Sequence, residues 1–95
     1  MKRYHVTATK RYKKDYKRIR KSGFDMEKLE NVIDRLASGL PLNGGRRDHA
    51  LRGAMQGTRA CHIAPDWLLR YGIDGNELIL ILVSTGTHRD VLSIE

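Results

Sequence analysis

The spacing of apolar residues changes near residue 43, and this change limits the possible folds most. From Lys10 to Gly39 the apolar residues recur every three or four positions, as on one face of a helix. Beyond Asn43-Gly44-Gly45 they occur in short runs bounded by Gly, Pro or Asp, as in strands. Helices followed by strands predict an α+β fold. Because 95 residues suffice for only one hydrophobic core, residues 1–95 are expected to form a single domain.

Two helices are predicted before this change. The first runs from Lys10 to Lys21 with Thr9 as its N-cap, and the second begins after Asp25 and ends before Gly39. A connection of only three or four residues predicts that the two helices lie antiparallel. The apolar stripes are Tyr12, Tyr16 and Ile19 in the first helix and Met26, Leu29, Val32, Ile33 and Leu36 in the second.

The remaining pattern predicts strands over residues 4–8, 48–52, 58–64, 67–73, 77–84 and 91–94. Asp74-Gly75 is typical of a two-residue hairpin turn between the two clearest strands. The expected architecture is therefore two antiparallel helices on one face of a small, twisted, mainly antiparallel sheet. The other face of the sheet is expected to be open.

Positive charge is concentrated at the N-terminus. Residues 1–21 contain ten Lys or Arg and one acid, whereas the rest of the chain is slightly acidic, so this segment accounts for the net charge of +7. The block favours binding to a polyanion, although a solvated helix face explains it equally well. The longest apolar run, Leu78 to Val83, is too short to span a membrane. With no signal peptide visible and only Cys61 as a thiol, a cytoplasmic location is expected.

The candidate functional residues are polar and close to predicted turns. His62 and Asp66 flank the turn at Pro65, where a carboxylate near an imidazole would fix its tautomer, but Asp is also common in ordinary turns. His49 and His88 are each typical of solvated loop histidines, and His5 is assigned a structural role. Arg59 and Arg52 could clamp a phosphate or could be plain exposed arginines.

Three motifs taken together are specific. They are Asp48-His49-Ala50-Leu51-Arg52-Gly53, the segment Arg59 to Tyr71 containing Cys61-His62 and Pro65-Asp66-Trp67, and Thr85-Gly86-Thr87-His88. In this order they resemble the YafQ branch of the RelE-like toxins of bacterial type II toxin–antitoxin pairs. The resemblance covers nearly the whole chain and implies a RelE-like fold.

The resemblance also implies a ribosome-dependent endoribonuclease that cuts mRNA in the A site. Its active-site residues match His49, His62, Asp66 and His88, and its aromatic residue after the aspartate matches Trp67. A further aromatic residue near the C-terminus of the family is absent here. Leu92 takes that position, which puts base stacking there in question.

For this chemistry we expect His49 and His88 as base and acid, with Asp66 orienting a histidine or sharing the proton transfer. His62 would stabilise charge, Arg59 and Arg52 would hold phosphate, and Trp67 would either stack on a base or anchor the core. No metal or cofactor is expected, because the spacing of these residues matches no metal motif.

The expected partners are the ribosome with its mRNA and an antitoxin with an acidic or partly disordered segment. Operator DNA would be bound only through the antitoxin. The cations expected to contact ribosomal RNA are Lys10, Lys13, Lys14 and Lys17. The alternatives are a non-cleaving RNA- or DNA-binding module, an attenuated toxin that acts only in antitoxin binding and operon repression, and a metal-dependent nuclease.

Overall fold

The computed structural model describes residues 2–92, which form an α+β structure of three α-helices and a five-stranded sheet. The elements are β1 (His5–Ala8), α1 (Lys10–Lys21), α2 (Met26–Ala37), β2 (His49–Ala50), β3 (Arg59–Ala64), β4 (Trp67–Asp74), β5 (Ile79–Gly86) and α3 (His88–Leu92). Within residues 2–92, no helix is long and apolar enough to cross a membrane.

The sheet has the strand order β1-β5-β4-β3-β2. Strands β2 to β5 pair antiparallel, whereas β1 runs parallel to β5 and makes the sheet mixed. This order places β1 and β2 at opposite edges. His5 on β1 and His49 on β2 therefore lie at opposite sides of the sheet.

One face of the sheet is covered by α1 and α2, as their apolar stripes predict. The two predicted N-caps are confirmed, since the side chain of Thr9 accepts a hydrogen bond from the Tyr12 amide and that of Asp25 from the Glu27 amide. Gly39 has φ +73°, the left-handed conformation expected after a helix end. The core on this face joins Tyr12, Ile19, Leu29, Val32, Ile33 and Leu36 to Leu69, Tyr71, Leu80 and Leu82 of the sheet.

The opposite face is not fully open, because α3 packs on it. Val91 is fully buried there against Ala60 and Leu68. The predicted strand at 91–94 is wrong for Val91 and Leu92, which are helical, while residues 93 and 94 lie outside the described residues. A capping box explains the helix, since Thr87 and Asp90 exchange side-chain-to-amide hydrogen bonds across its first turn.

The connection between β4 and β5 is longer than predicted. Asp74 is the last residue of β4, and four residues, 75–78, precede β5 instead of a two-residue turn at Asp74-Gly75. The Asp74 carboxylate accepts hydrogen bonds from the amides of Asn76 and Glu77, both at 3.0 Å. This side-chain turn competes with the tight hairpin. Leu78 closes the loop in a left-handed conformation, with φ +55°.

Candidate active site

Three histidines and one aspartate come together at one end of the sheet. His49 lies on β2, His62 on β3, Asp66 in the two-residue turn between β3 and β4, and His88 at the first position of α3. The sheet register puts His62 opposite Leu68, on the face that α3 covers. His88 therefore reaches the same face as His62 although 26 residues separate them in the sequence.

Asp66 bonds to His88 and not to His62, the partner that the turn at Pro65 suggested. Its Oδ1 lies 2.7 Å from His88 Nδ1 and 3.2 Å from the His88 backbone nitrogen. The His62 ring meets the His88 ring edge to face, with centroids 5.2 Å apart. Asp66 occupies the turn itself, so its side chain can reach the start of α3.

The strand register places His49 beside His62. His49 pairs with Ala60, and Ala60 and His62 point to the same face because side chains alternate along β3. The two histidines are therefore diagonal neighbours, with their Cα atoms roughly 7–8 Å apart. This arrangement joins a residue of the edge strand to the pair formed by His62 and His88.

Hydrogen bonds define which ring nitrogen is free on two of the histidines. His49 Nδ1 lies 2.8 Å from the Arg47 carbonyl oxygen, and His88 Nδ1 faces the Asp66 carboxylate. Both partners can only accept, so each Nδ1 carries a hydrogen and donates it. In both residues Nε2 is the nitrogen left for chemistry.

The surroundings of His62 and Asp66 lower the pKa of both side chains, which favours a neutral imidazole and an ionised carboxylate. Burial lowers the pKa of His62, and the neighbouring charges of His88, Arg47 and His49 lower it further. The neutral imidazole is thereby favoured. The hydrogen bonds from the His88 side chain and backbone lower the pKa of Asp66, which holds this carboxyl in its ionised form.

A basic cleft adjoins His62 and was not predicted from the sequence. Its cations are Lys28 from α2 and Arg46 and Arg47 from the loop before β2. Arg46 Nη1 donates to the Ile63 carbonyl oxygen at 2.6 Å, which fixes the loop to the edge of β3. Arg47 has a left-handed backbone, with φ +49°. The sequence signal for this cleft is the pair Arg46-Arg47 directly before the Asp48-His49 motif.

Arg59 points away from the histidines. It alternates with His62 along β3 and pairs with Tyr71 on the helix-covered face. Its Nε donates to Asp48 Oδ1 at 3.2 Å, and the Tyr71 hydroxyl donates to the same oxygen at 2.6 Å. The structure thus gives Arg59 a role in anchoring the start of β2, whereas Arg52 is exposed in the loop after this strand.

The other predicted RNA-binding residues differ in their exposure to solvent. Trp67 is buried against Phe24, and its indole N–H donates to Thr85 Oγ1 at 2.9 Å, so it anchors the core. Leu92 packs with Val91 on the second face. The four lysines of α1 that are predicted to contact ribosomal RNA are all exposed, namely Lys10, Lys13, Lys14 and Lys17.

Comparisons with known proteins identify a family that matches nearly the whole chain. A family model described as "Bacterial toxin of type II toxin-antitoxin system, YafQ" matches residues 4–93. The mRNA interferase toxin YafQ of Escherichia coli K12 is 38% identical over 78 residues, which cover 81% of this chain and 83% of that protein.

Solved structures agree with the sequence matches. A crystal structure of the E. coli DinJ–YafQ toxin–antitoxin complex has TM-score 0.86 and 33% identity, covering 96% of this chain and 99% of that one. A metal-bound toxin from Helicobacter pylori has TM-score 0.87 and 38% identity, covering 93% and 98%. In the present chain, residues 2–92 contain no group of three or more His, Cys, Asp or Glu placed to hold a metal.

Proposed function

Because the chain belongs to the YafQ family of type II toxin–antitoxin toxins, we propose that it is an endoribonuclease that cuts mRNA on the ribosome. The observation that carries the proposal is the hydrogen bond of His88 Nδ1 with Asp66, next to His62 and His49. Together with the hydrogen bond between His49 Nδ1 and the Arg47 carbonyl, it leaves the Nε2 atoms of His49 and His88 for proton transfer at one place. Such a pair of histidines is suited to general acid and base work near neutral pH.

The reaction needs only the ribose hydroxyl as nucleophile. A base takes the proton of the 2′-OH, O2′ bonds to phosphorus, and the bond from phosphorus to O5′ breaks. A general acid protonates O5′, so the products are a 2′,3′-cyclic phosphate and a 5′-OH end. No net proton is gained or lost, and no metal enters these steps.

We assign the base to His49 and the acid to His88. The Nδ1–H of His49 donates to a neutral carbonyl, which leaves the Nε2 lone pair free to accept a proton. The Asp66 carboxylate accepts the Nδ1–H of His88 and fixes the orientation of the ring, so Nε2 is the atom that would deliver a proton. Neutral His62 would donate an N–H to the phosphate, and Arg47 of the basic cleft would hold the phosphate in place of Arg59.

The exposed lysines of α1 support two further contacts, with ribosomal RNA and with an antitoxin. A groove beside them is lined by Tyr12, Tyr16, Lys13 and Lys17, together with Ala8 of β1. Apolar rings flanked by ammonium groups suit an acidic antitoxin segment that becomes ordered on binding. We propose that operator DNA is contacted through the antitoxin.

The test is the position and chemistry of the cuts. After expression without a partner, the 5′ ends of transcripts should fall in phase with codons, and the ends cut on purified translating ribosomes should carry 2′,3′-cyclic phosphate. Treating the toxin alone with EDTA, and removing the EDTA before the ribosomes are added because ribosomes themselves need Mg²⁺, should leave the rate unchanged. Cuts out of phase, or cuts in naked RNA at the same rate, would contradict ribosome dependence, and inhibition by EDTA would favour a metal-dependent nuclease.

The assignment of base and acid predicts the effect of single substitutions. His49→Ala and His88→Ala should each lower the rate by roughly 10²–10⁴-fold, because each removes one proton-transfer group. His5→Ala, at the far edge of the sheet, is the matched control. Expression of the wild-type chain should stop growth unless the cognate antitoxin is co-expressed, and both active-site variants should permit growth. Full toxicity of both would overturn the assignment.

A non-cleaving toxin remains the second candidate, and one observation favours it. Trp67 is buried and Leu92 stands where the family has an aromatic residue, so neither offers an exposed ring to a base. In this case the wild-type chain would bind ribosomes or antitoxin and leave transcripts intact. The same transcript mapping distinguishes the two candidates.

A further inference from the structure

Asp15 is the only acid among the first 21 residues, and it is buried in α1. Its Oδ2 accepts a hydrogen bond from the Thr85 amide near the end of β5, at 3.1 Å. Its Oδ1 accepts from Arg18 Nη1 at 2.9 Å. A buried carboxylate is tolerated only when it is paired in this way, so Asp15 ties α1 to β5 and orients Arg18.

Arg18 extends this connection to α3. Its Nη2 lies 3.3 Å from Asp90 Oδ2 and 3.4 Å from the Thr85 carbonyl oxygen. The same Asp90 oxygen accepts from the Thr87 amide at the start of α3. Arg11, one turn before Asp15, donates to the Asp90 carbonyl oxygen. Two residues of the basic helix thus hold the helix that begins with His88.

The backbone beneath the Arg18–Asp90 pair leaves no room for a side chain. Gly86 has φ +149°, and a Cβ added there would lie 2.8 Å from both Arg18 Nη2 and Asp90 Oδ2. Glycine is therefore required at this position by two constraints, the backbone conformation and the close approach of the ion pair. The pair rests directly on the end of β5.

Helix α3 depends on such contacts because it is short. It has five residues, far fewer than an isolated helix needs for stability in water. Val91 holds one side of it, and Asp66 holds the backbone nitrogen of His88. Neither contact restrains the side of α3 that faces α1, which is where Asp90 lies.

We propose that Asp15, Arg18 and Asp90 are positioning residues for His88. They hold α3 against α1 and β5 so that the His88 imidazole keeps its place between Asp66 and His62. This inference rests on the proposed function, in which His88 donates a proton to O5′. A misplacement of about 1 Å can lower an enzymatic rate by roughly 100-fold.

The kinetic test uses Asp90→Asn and Arg18→Met on ribosomes programmed with a defined mRNA. We expect kcat to fall at least tenfold in both variants, with KM unchanged in Asp90→Asn, since this residue is outside the basic block. Arg18→Lys should recover part of the rate. Lys17→Met is the matched control, because it removes the adjacent exposed cation and should change KM alone.

A second measurement does not depend on cleavage. The Val91 amide donates to the Thr87 carbonyl oxygen, so its hydrogen exchange reports the order of α3. Exchange should be at least tenfold faster in Asp90→Asn and in Gly86→Ala than in wild type and Lys17→Met. If the wild-type chain does not cleave, the proposed function fails and this measurement still decides the position of α3. Unchanged exchange, or unchanged kcat in both Asp90→Asn and Arg18→Met, would overturn the proposal.

Discussion

At the scale of residues, the candidate site shows which side-chain pairings can be inferred from neighbours in the sequence. His62 and Asp66 are four positions apart around Pro65, and their closeness in sequence predicts a hydrogen bond between them. In the structure Asp66 bonds to His88 instead, because α3 brings His88 Nδ1 to within 2.7 Å of Asp66 Oδ1. Arg59 is a different case, because a spacing of three along one strand already predicts that Arg59 and His62 point to opposite faces of the sheet.

The lowered pKa of His62 predicts a pH effect on stability. Burial and the charges of His88, Arg47 and His49 oppose its protonation in the folded state. Below the ordinary histidine pKa of about 6.5 the unfolded chain therefore binds more protons, and the folded state loses stability as the pH falls. His62→Gln should lose less Tm between pH 7 and pH 5 than wild type does.

The control for this measurement is His5→Gln, which replaces an exposed histidine on β1. It should follow the wild-type Tm at both pH values. Equal losses of Tm in wild type and in His62→Gln would show that protonation of His62 is not resisted in the folded chain.

At the scale of elements, β2 is the least self-supporting strand, because it pairs over only two residues. The Asp48 carboxylate holds it to the sheet by accepting hydrogen bonds from the Tyr71 hydroxyl and from Arg59. Sequence periodicity predicted both long helices with their N-caps, but it cannot reveal such an anchor. Periodicity also failed for α3, since five residues are too few to show a helical repeat.

Tyr71→Phe tests this anchor. Removing the hydroxyl deletes a hydrogen bond to a charged acceptor, so the free energy of unfolding should fall by about 1–2 kcal/mol, measured in urea. The cleavage rate should also fall, because His49 follows Asp48 directly. Tyr16→Phe, a partly buried tyrosine of α1, is the control and should change neither quantity appreciably. Unchanged stability of Tyr71→Phe would mean that the anchor contributes nothing.

At the scale of the whole molecule, the basic N-terminal segment and the candidate active site are connected. The net charge of +7 arises in the segment that forms β1 and α1, and α1 contacts α3 through Arg11 and Arg18. A second set of cations, Lys28, Arg46 and Arg47, adjoins His62. Under the proposed function these are two surfaces for RNA, one of which is next to the histidines.

Docking through α1 predicts a change in salt dependence. Replacing Lys13 and Lys17 by Ala should weaken ribosome binding and reduce the slope of log K against log salt by about 0.7–0.9 for each phosphate that is no longer neutralised. Lys2→Ala removes an exposed cation outside α1, already paired with Asp34, and should leave the slope unchanged. An unaltered slope in the double variant would exclude α1 as the docking surface.

The sequence by itself determined the α+β class, the positions and N-caps of α1 and α2, and the residue types at the candidate site, because these depend on local periodicity and motifs. Only the tertiary structure decided which partner each side chain meets. The pairing of Asp66 with His88, that of Arg59 with Asp48 and the link from Asp15 to Asp90 all join separate segments of the chain. Contacts of this kind form when strand register and helix packing bring separate segments together, and no local pattern records them.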